Sequence, residues 1–188
     1  MKTGRRNWLM GMVPTVTEVA VDAIEQRILP HTPPRRRPPG AVAENRFLSL
    51  CTRCDACVEA CPHDAVHRYV ESAGELARTP VMKPDRRACH MCEGFPCAAA
   101  CEAGALVVPE ERVWKLGRVK VSRDRCFTFM GPECGACRGF CPTERQALTF
   151  HGTRPYVDTE LCVGCGLCME ACPTRPAALD LLPLEDDD

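Results

Sequence analysis

The chain is poor in aromatic residues: two Trp, two Tyr and six Phe among 188 positions. That supply cannot fill a large apolar core. Charge of one sign is not in excess either. With 24 basic against 25 acidic residues, no net field draws the chain to nucleic acid or to an anionic membrane. No uncharged apolar run approaches the roughly 18 residues of a membrane span, so no span is expected. Neither a G-x-G-x-x-G fingerprint nor a phosphate loop occurs, which leaves nicotinamide, flavin or nucleotide catalysis without support. What is abundant is cysteine, with 16 residues, beside 17 prolines and 13 glycines. Something other than packing must hold such a chain together.

The cysteines fall into four runs of four with none left over: Cys51, Cys54, Cys57, Cys61; Cys89, Cys92, Cys97, Cys101; Cys126, Cys134, Cys137, Cys141; and Cys162, Cys165, Cys168, Cys172. Disulfide frameworks tie distant segments, whereas three thiols within seven residues cannot pair productively with one another. Local crowding therefore implies a shared metal centre. The first and fourth runs have the spacing C-x2-C-x2-C-x3-C-P, the bacterial ferredoxin signature, in which the fourth thiolate ligates the other cluster of a two-cluster module. Zinc is the rival, but four-thiolate zinc sites usually separate two C-x2-C pairs by a dozen or more residues. The spacing favours 4Fe-4S clusters, with all sixteen cysteines as iron ligands.

The second run stretches its middle gap to four residues, with Gly94 and Pro96 in the added turn, and lacks the terminal proline. The third stretches its first gap to seven, with Gly131 and Pro132 as turn formers. Such bulges are either neutral surface loops or docking surfaces beside exposed clusters. Between runs the chain reads as short strands at 79–82, 118–122, 147–150 and 154–157. With runs recurring about every 37 residues, the whole is a repeat protein. The expected fold class is α+β: a ferredoxin-like polyferredoxin of two two-cluster modules with a small core held by its clusters, and largely unfolded without them. Two pairings remain open. In the tandem form, runs one and two exchange Cys61 and Cys101. In the nested form, runs one and four exchange Cys61 and Cys172. The regular runs lie first and last and the irregular ones are adjacent, which tilts the reading slightly to the nested form.

From Arg37 onward, R-P-P-G-A-V-A-E-N-R-F-L-S-L-C-T-R-C-D-A-C-V-E-A-C-P resembles the opening of the MauM/NapG family of ferredoxin-type proteins. The irregular runs C-H-M-C-E-G-F-P-C-A-A-A-C and R-C-F-T-F-M-G-P-E-C-G-A-C-R-G-F-C-P are similar to that family's second and third runs. The resemblance spans roughly Arg37 to Leu184. Glu102 departs from it, standing where such a run often has proline. The resemblance implies an electron-relaying protein beside a membrane-bound polyferredoxin that oxidises quinol, in nitrate respiration or methylamine oxidation. It also implies that the sixteen cysteines are cluster ligands.

Residues 1–29 read as an amphipathic helix behind a degenerate twin-arginine-like start at Arg5 and Arg6. Val16, Val19, Ala20, Ala23, Ile24 and Ile28 lie on one side, and Pro30 ends the helix. The apolar stretch is interrupted by Glu18, Asp22 and Glu25 and no A-x-A site follows, so cytoplasmic retention, peripheral to a membrane at most, is favoured over periplasmic export. The helix either packs on its own body or docks a partner. Residues 30–45 read as a Pro/Arg-rich extended linker whose Arg35, Arg36 and Arg37 are solvated. Residues 46–184 form the four-cluster domain, and 185–188 an acidic tail. His63, His67, His90 and His151 read as solvated, because no run has a vacancy for them, and Trp114 reads as core filling. The functional expectation is an electron-transfer protein with redox partners, no catalytic residue and no small-molecule substrate. A maturation factor delivering electrons or clusters is the alternative. A nucleic-acid enzyme with structural clusters is disfavoured by the absence of basic and aromatic patches.

Overall fold

The computed structural model describes residues 35–70, 74, 76–142 and 146–182. The expected N-terminal helix, the start of the linker and the acidic tail lie outside these residues. In chain order the elements are α1 (Glu44–Leu50), α2 (Ala56–Glu59), β1 (Val66–Arg68), β2 (Pro80–Met82), α3 (Pro96–Ala99), β3 (Arg118–Val121), α4 (Phe127–Met130), β4 (Leu148–His151), β5 (Arg154–Val157), α5 (Leu167–Glu170) and β6 (Leu179–Leu182). The four strands expected from sequence appear as β2, β3, β4 and β5. β1 and β6 were not anticipated.

The strands form three antiparallel pairs that fix the architecture. β4 and β5 make a hairpin with Thr149 opposite Tyr156, and β1 and β2 pair with His67 opposite Val81. β3 pairs with β6, Val119 opposite Leu181, so that the ends of the segment holding runs three and four meet. The segment holding runs one and two closes the same way in shorter form. Ala41 bridges Leu106, flanked by Val42 N–H to Ala105 C=O at 3.2 Å and Val107 N–H to Gly40 C=O at 2.8 Å. Each half therefore has one terminal closure and one inner strand pair around two cysteine runs.

The helices that carry cysteines are single turns and could not persist alone. α2 and α3 follow the left-handed residues Asp55 (φ 67°) and Phe95 (φ 41°), and α5 follows Gly166 (φ 87°). The Asp55 carboxylate accepts from Arg68 at 2.9 Å and Arg78 at 3.0 Å. These pairs hold it below the usual carboxylate range, the Arg68 hydrogen bond most of all.

Two cores result. The larger gathers Phe47, Val66, Met82, Met91, Phe95, Leu106 and Leu116 with Cys57, Cys89, Cys97 and Cys165, and Trp114 packs against it. The smaller has no aromatic among its buried members, only Val119, Ala147, Met169, Ala178 and Leu179 with Cys162 and Cys172. The shortage of aromatics is met by burying cysteine.

The linker reading fails from Arg35 onward, and with it the solvated arginines. Pro38 and Pro39 are fully buried and Arg37 is 5% exposed. The Arg37 guanidinium donates to Glu44 Oε2 at 2.9 Å, Thr79 Oγ1 at 2.8 Å and the Pro80 carbonyl at 2.8 Å, and lies 4.5 Å from the Phe47 ring centre. Arg36 donates to the carbonyls of Leu116 at 2.8 Å and Leu182 at 2.5 Å. A buried guanidinium is tolerated because nearly every donor finds an acceptor. Arg37→Ala takes the donor from the Pro80 carbonyl and leaves Thr79 Oγ1 only its bond to the Leu76 carbonyl, and is expected to lower stability by about 2–4 kcal/mol, read as a lower guanidinium midpoint. Arg37→Lys, lacking the fork, recovers only part of that loss.

Candidate metal centres

All sixteen cysteines are free thiols, and the fold sorts them into four quartets, each mixing two runs. Cys51, Cys54, Cys57 and Cys101 line one cavity, walled by Phe47, Ala105 and Leu106. Cys61, Cys89, Cys92 and Cys97 line a second, and Cys126, Cys134, Cys137 and Cys172 another. The four that remain are Cys141 and three thiols of run four, and Cys141 packs with Cys162 and Cys168 in the smaller core. We number the quartets first (51, 54, 57, 101), second (61, 89, 92, 97), third (141, 162, 165, 168) and fourth (126, 134, 137, 172).

These groupings differ from the nested expectation: Cys61 lies with the thiols of run two, not of run four. Regular or irregular spacing within a run does not choose its partner. The chain closures at 40–42 with 105–107 and at β3 with β6 do, because they enclose consecutive runs. Each half therefore couples one regular run to one irregular run.

The quartets are electrostatically loaded. Burial pushes Cys57 up to about 12, with further repulsion from Cys51, Cys101 and Cys54. Burial likewise pushes Cys89 up to about 12 and Cys165 up to about 12, again with sulfur neighbours adding to the shift. Four thiolates cannot share such a space without a cation between them. Cys54 and Cys172 run the other way. Exposed Cys54 is stabilised as thiolate by the Ala56 N–H and the Thr52 hydroxyl. For Cys172, burial acts upward but is outweighed by Thr174 and the Ala178 N–H.

A repeated donor pattern surrounds the crossing sulfurs. Ala65 N–H reaches Cys61 Sγ at 3.3 Å, Leu106 N–H reaches Cys101 Sγ at 3.4 Å, and Ala178 N–H reaches Cys172 Sγ at 3.3 Å. Glu102 in place of proline leaves this arrangement intact. Two hydroxyls lie beside sulfurs of the fourth quartet, Thr128 Oγ1 at 3.3 Å from Cys126 and Thr174 Oγ1 at 3.2 Å from Cys172. Sequence reading missed both threonines, although the shared spacing of two residues after a cysteine is visible there.

The histidines divide. His63 and His90 stack face to face with centroids 3.5 Å apart beside the second quartet, and exposed His151 tilts on Tyr156 at 4.5 Å. His67 departs from the solvated expectation: its Nε2 is buried without a hydrogen-bond partner. Burial first, then the charges of Lys83, Arg86 and Arg87, hold it below the usual imidazole range.

Among the described residues no three His, Cys, Asp or Glu side chains converge as on one metal ion, whereas sulfurs about 2.3 Å from one zinc would lie within about 4 Å of one another. Thiols spread around a cavity, with backbone N–H groups aimed at sulfur, suit a polynuclear iron–sulfur group. Fold and site thus define the class, an iron–sulfur protein of the ferredoxin type.

The comparisons with known proteins agree. The 4Fe-4S binding domain family matches residues 47–67 and 155–176. The chain is 34% identical to the ferredoxin-type protein NapG of Escherichia coli, covering 97% of this chain and 87% of that one. It is 38% identical to the methylamine utilization ferredoxin-type protein MauM of Methylorubrum extorquens, covering 79% and 73%, and 32% identical to the ferredoxin-type protein NapF of E. coli, covering 69% and 74%. The chain belongs to the NapG/MauM family of ferredoxin-type proteins. Among the described residues no helix is long and apolar enough to cross a membrane.

Proposed function

We propose that this protein is an electron carrier holding four 4Fe-4S clusters, one in each quartet, with the sixteen cysteines as iron ligands. It relays electrons between a membrane quinol-oxidising or other redox partner and a respiratory or catabolic oxidoreductase. The observation that carries the reading is that every quartet is completed by the fourth cysteine of a neighbouring run, the arrangement by which two-cluster ferredoxins tie their clusters together. When bound, a cluster of this kind exchanges one electron with little rearrangement of its ligands.

The chain's own part is to bind, insulate and tune. Three sulfurs of each quartet come from one run and fix its position. Apolar neighbours such as Phe47, Leu106, Val66 and Phe95 keep water from the buried sulfurs. The amide donors at Cys61, Cys101 and Cys172 favour extra negative charge on sulfur, as the reduced state requires. With four thiolates per quartet no position is left for a substrate, so the chain carries no bond-making chemistry of its own.

Anaerobically purified protein is expected to contain about sixteen irons and as many sulfides per chain. Zinc, or iron for only one two-cluster module, would overturn the reading. Chelating the metal should unfold the described domain, seen as loss of far-UV dichroism, because the thiols then have no cation to share. Crossing is tested by pairs of variants. Cys101→Ser should alter the same paramagnetic signal as Cys54→Ser, and leave unchanged the signal altered by Cys92→Ser.

A further inference from the structure

Runs one and four have the same spacing and nearly the same loop backbone. In run one the two left-handed positions are occupied by Arg53 (φ 60°) and Asp55 (φ 67°), and in run four by Gly164 (φ 65°) and Gly166 (φ 87°). Run two also places non-glycine residues in this region, Met91 at φ 48° and Phe95 at φ 41°. Backbone conformation alone therefore does not demand glycine in run four.

What demands it is contact with the first module and with the segment that leads from it into β3. A Cβ on Gly164 would lie 2.6 Å from the Gly117 carbonyl carbon, and one on Gly166 would lie 2.2 Å from the Pro84 carbonyl oxygen. Both are backbone atoms that cannot swing aside. The same loop is bonded to both, Leu116 N–H of the connecting segment to Val163 C=O at 2.8 Å and Cys89 N–H of the first module to Cys165 C=O at 2.7 Å. Cys165 belongs to the larger core, and Val163 and Leu167 pack on it.

The consequence is an order among the quartets. Cys61 and Cys101 cross between the first and second quartets. The Cys89 N–H to Cys165 C=O hydrogen bond joins the second to the third. Cys141 and Cys172 cross between the third and fourth. Resting on the four-cluster reading above, we propose that Gly164 and Gly166 are positioning residues that seat the run-four loop in the first module and so join the two cluster pairs into one path, in the order first, second, third, fourth. In each hop one electron leaves one cluster, which is oxidised, and enters its neighbour, which is reduced. The electron enters from a reduced redox protein at one end and leaves to an oxidised one at the other. The ends are the first quartet, where Cys54 is exposed, and the fourth, beside Phe127 at 39% and Met130 at 60% exposure. Order in space thus differs from order in sequence, since run four lies inside the path and run three at its end.

The test compares the full-length protein with its Gly166→Ala variant, both loaded and reduced with dithionite, by iron content and by electron paramagnetic resonance. The interaction between the second and third clusters is identified in the unmodified protein as the one lost both in Cys92→Ser and in Cys168→Ser. Gly166→Ala should keep its full iron and the interactions within each pair, and lose the interaction between pairs. Full iron with that interaction retained overturns the proposal, as does its absence from an unmodified protein that holds all four clusters. Should Gly166→Ala fail to hold iron, Gly164→Ala decides, with its smaller overlap: a weakened interaction supports the proposal and an unchanged one overturns it. An unmodified protein without four clusters instead removes the function proposed above, and iron analysis shows this before any spectrum is interpreted.

Discussion

Four sulfurs around one small space repel one another once they ionise, and the rest of the structure is arranged around that repulsion. Cys57, Cys89 and Cys165 are driven up to about 12 by burial and by neighbouring sulfurs. A polypeptide gathers such groups only if something positive is shared among them. The rest of the fold is correspondingly slight: helices of one or two turns, strands of three or four residues, and a second core with no aromatic among its buried members. Neither the helices nor the two-stranded pairs would persist alone. They hold because each is tied within a few residues to a cysteine. Cys57 lies in α2, Cys97 in α3 and Cys168 in α5.

Much of this was legible in the sequence because it is local. The spacing within each run names its chemistry, and alternation marks the strands near 80, 118, 148 and 154 to within a residue or so. Pairing of the runs was not legible, since it is decided by contacts between residues far apart. One is a single bridge from Ala41 to Leu106, too short to leave an alternating pattern. The other joins β3 to β6 across some sixty residues of chain. The burial of Arg37 was hidden for the same reason. A run of arginine and proline reads as a solvated spacer, and nothing nearby announces that Thr79 and Pro80, 42 and 43 residues away, will accept from it.

The two irregular runs show how one kind of sequence feature takes opposite structural roles. The extra turn of run two sends one residue inward: Phe95 is 3% exposed and belongs to the larger core, while Glu93 and Gly94 stay exposed. The extra turn of run three points outward, leaving Met130 at 60% exposure with Gly131, Pro132 and Glu133 exposed behind it. Only Thr128 turns in, toward Cys126. The difference follows from what lies alongside. Run two sits where its own module meets the run-four loop, as the Cys89–Cys165 hydrogen bond records, so an added turn there must supply core. Run three sits at the far side of the smaller module, where Arg123 and Arg154 flank Phe129 at 5.4 and 5.3 Å and no further element covers the loop among the described residues. The inserted turn that meets another loop contributes a packed residue, and the one that meets none stays on the surface. What packs alongside, rather than the length of the insertion, therefore decides which of the two each loop is in this chain.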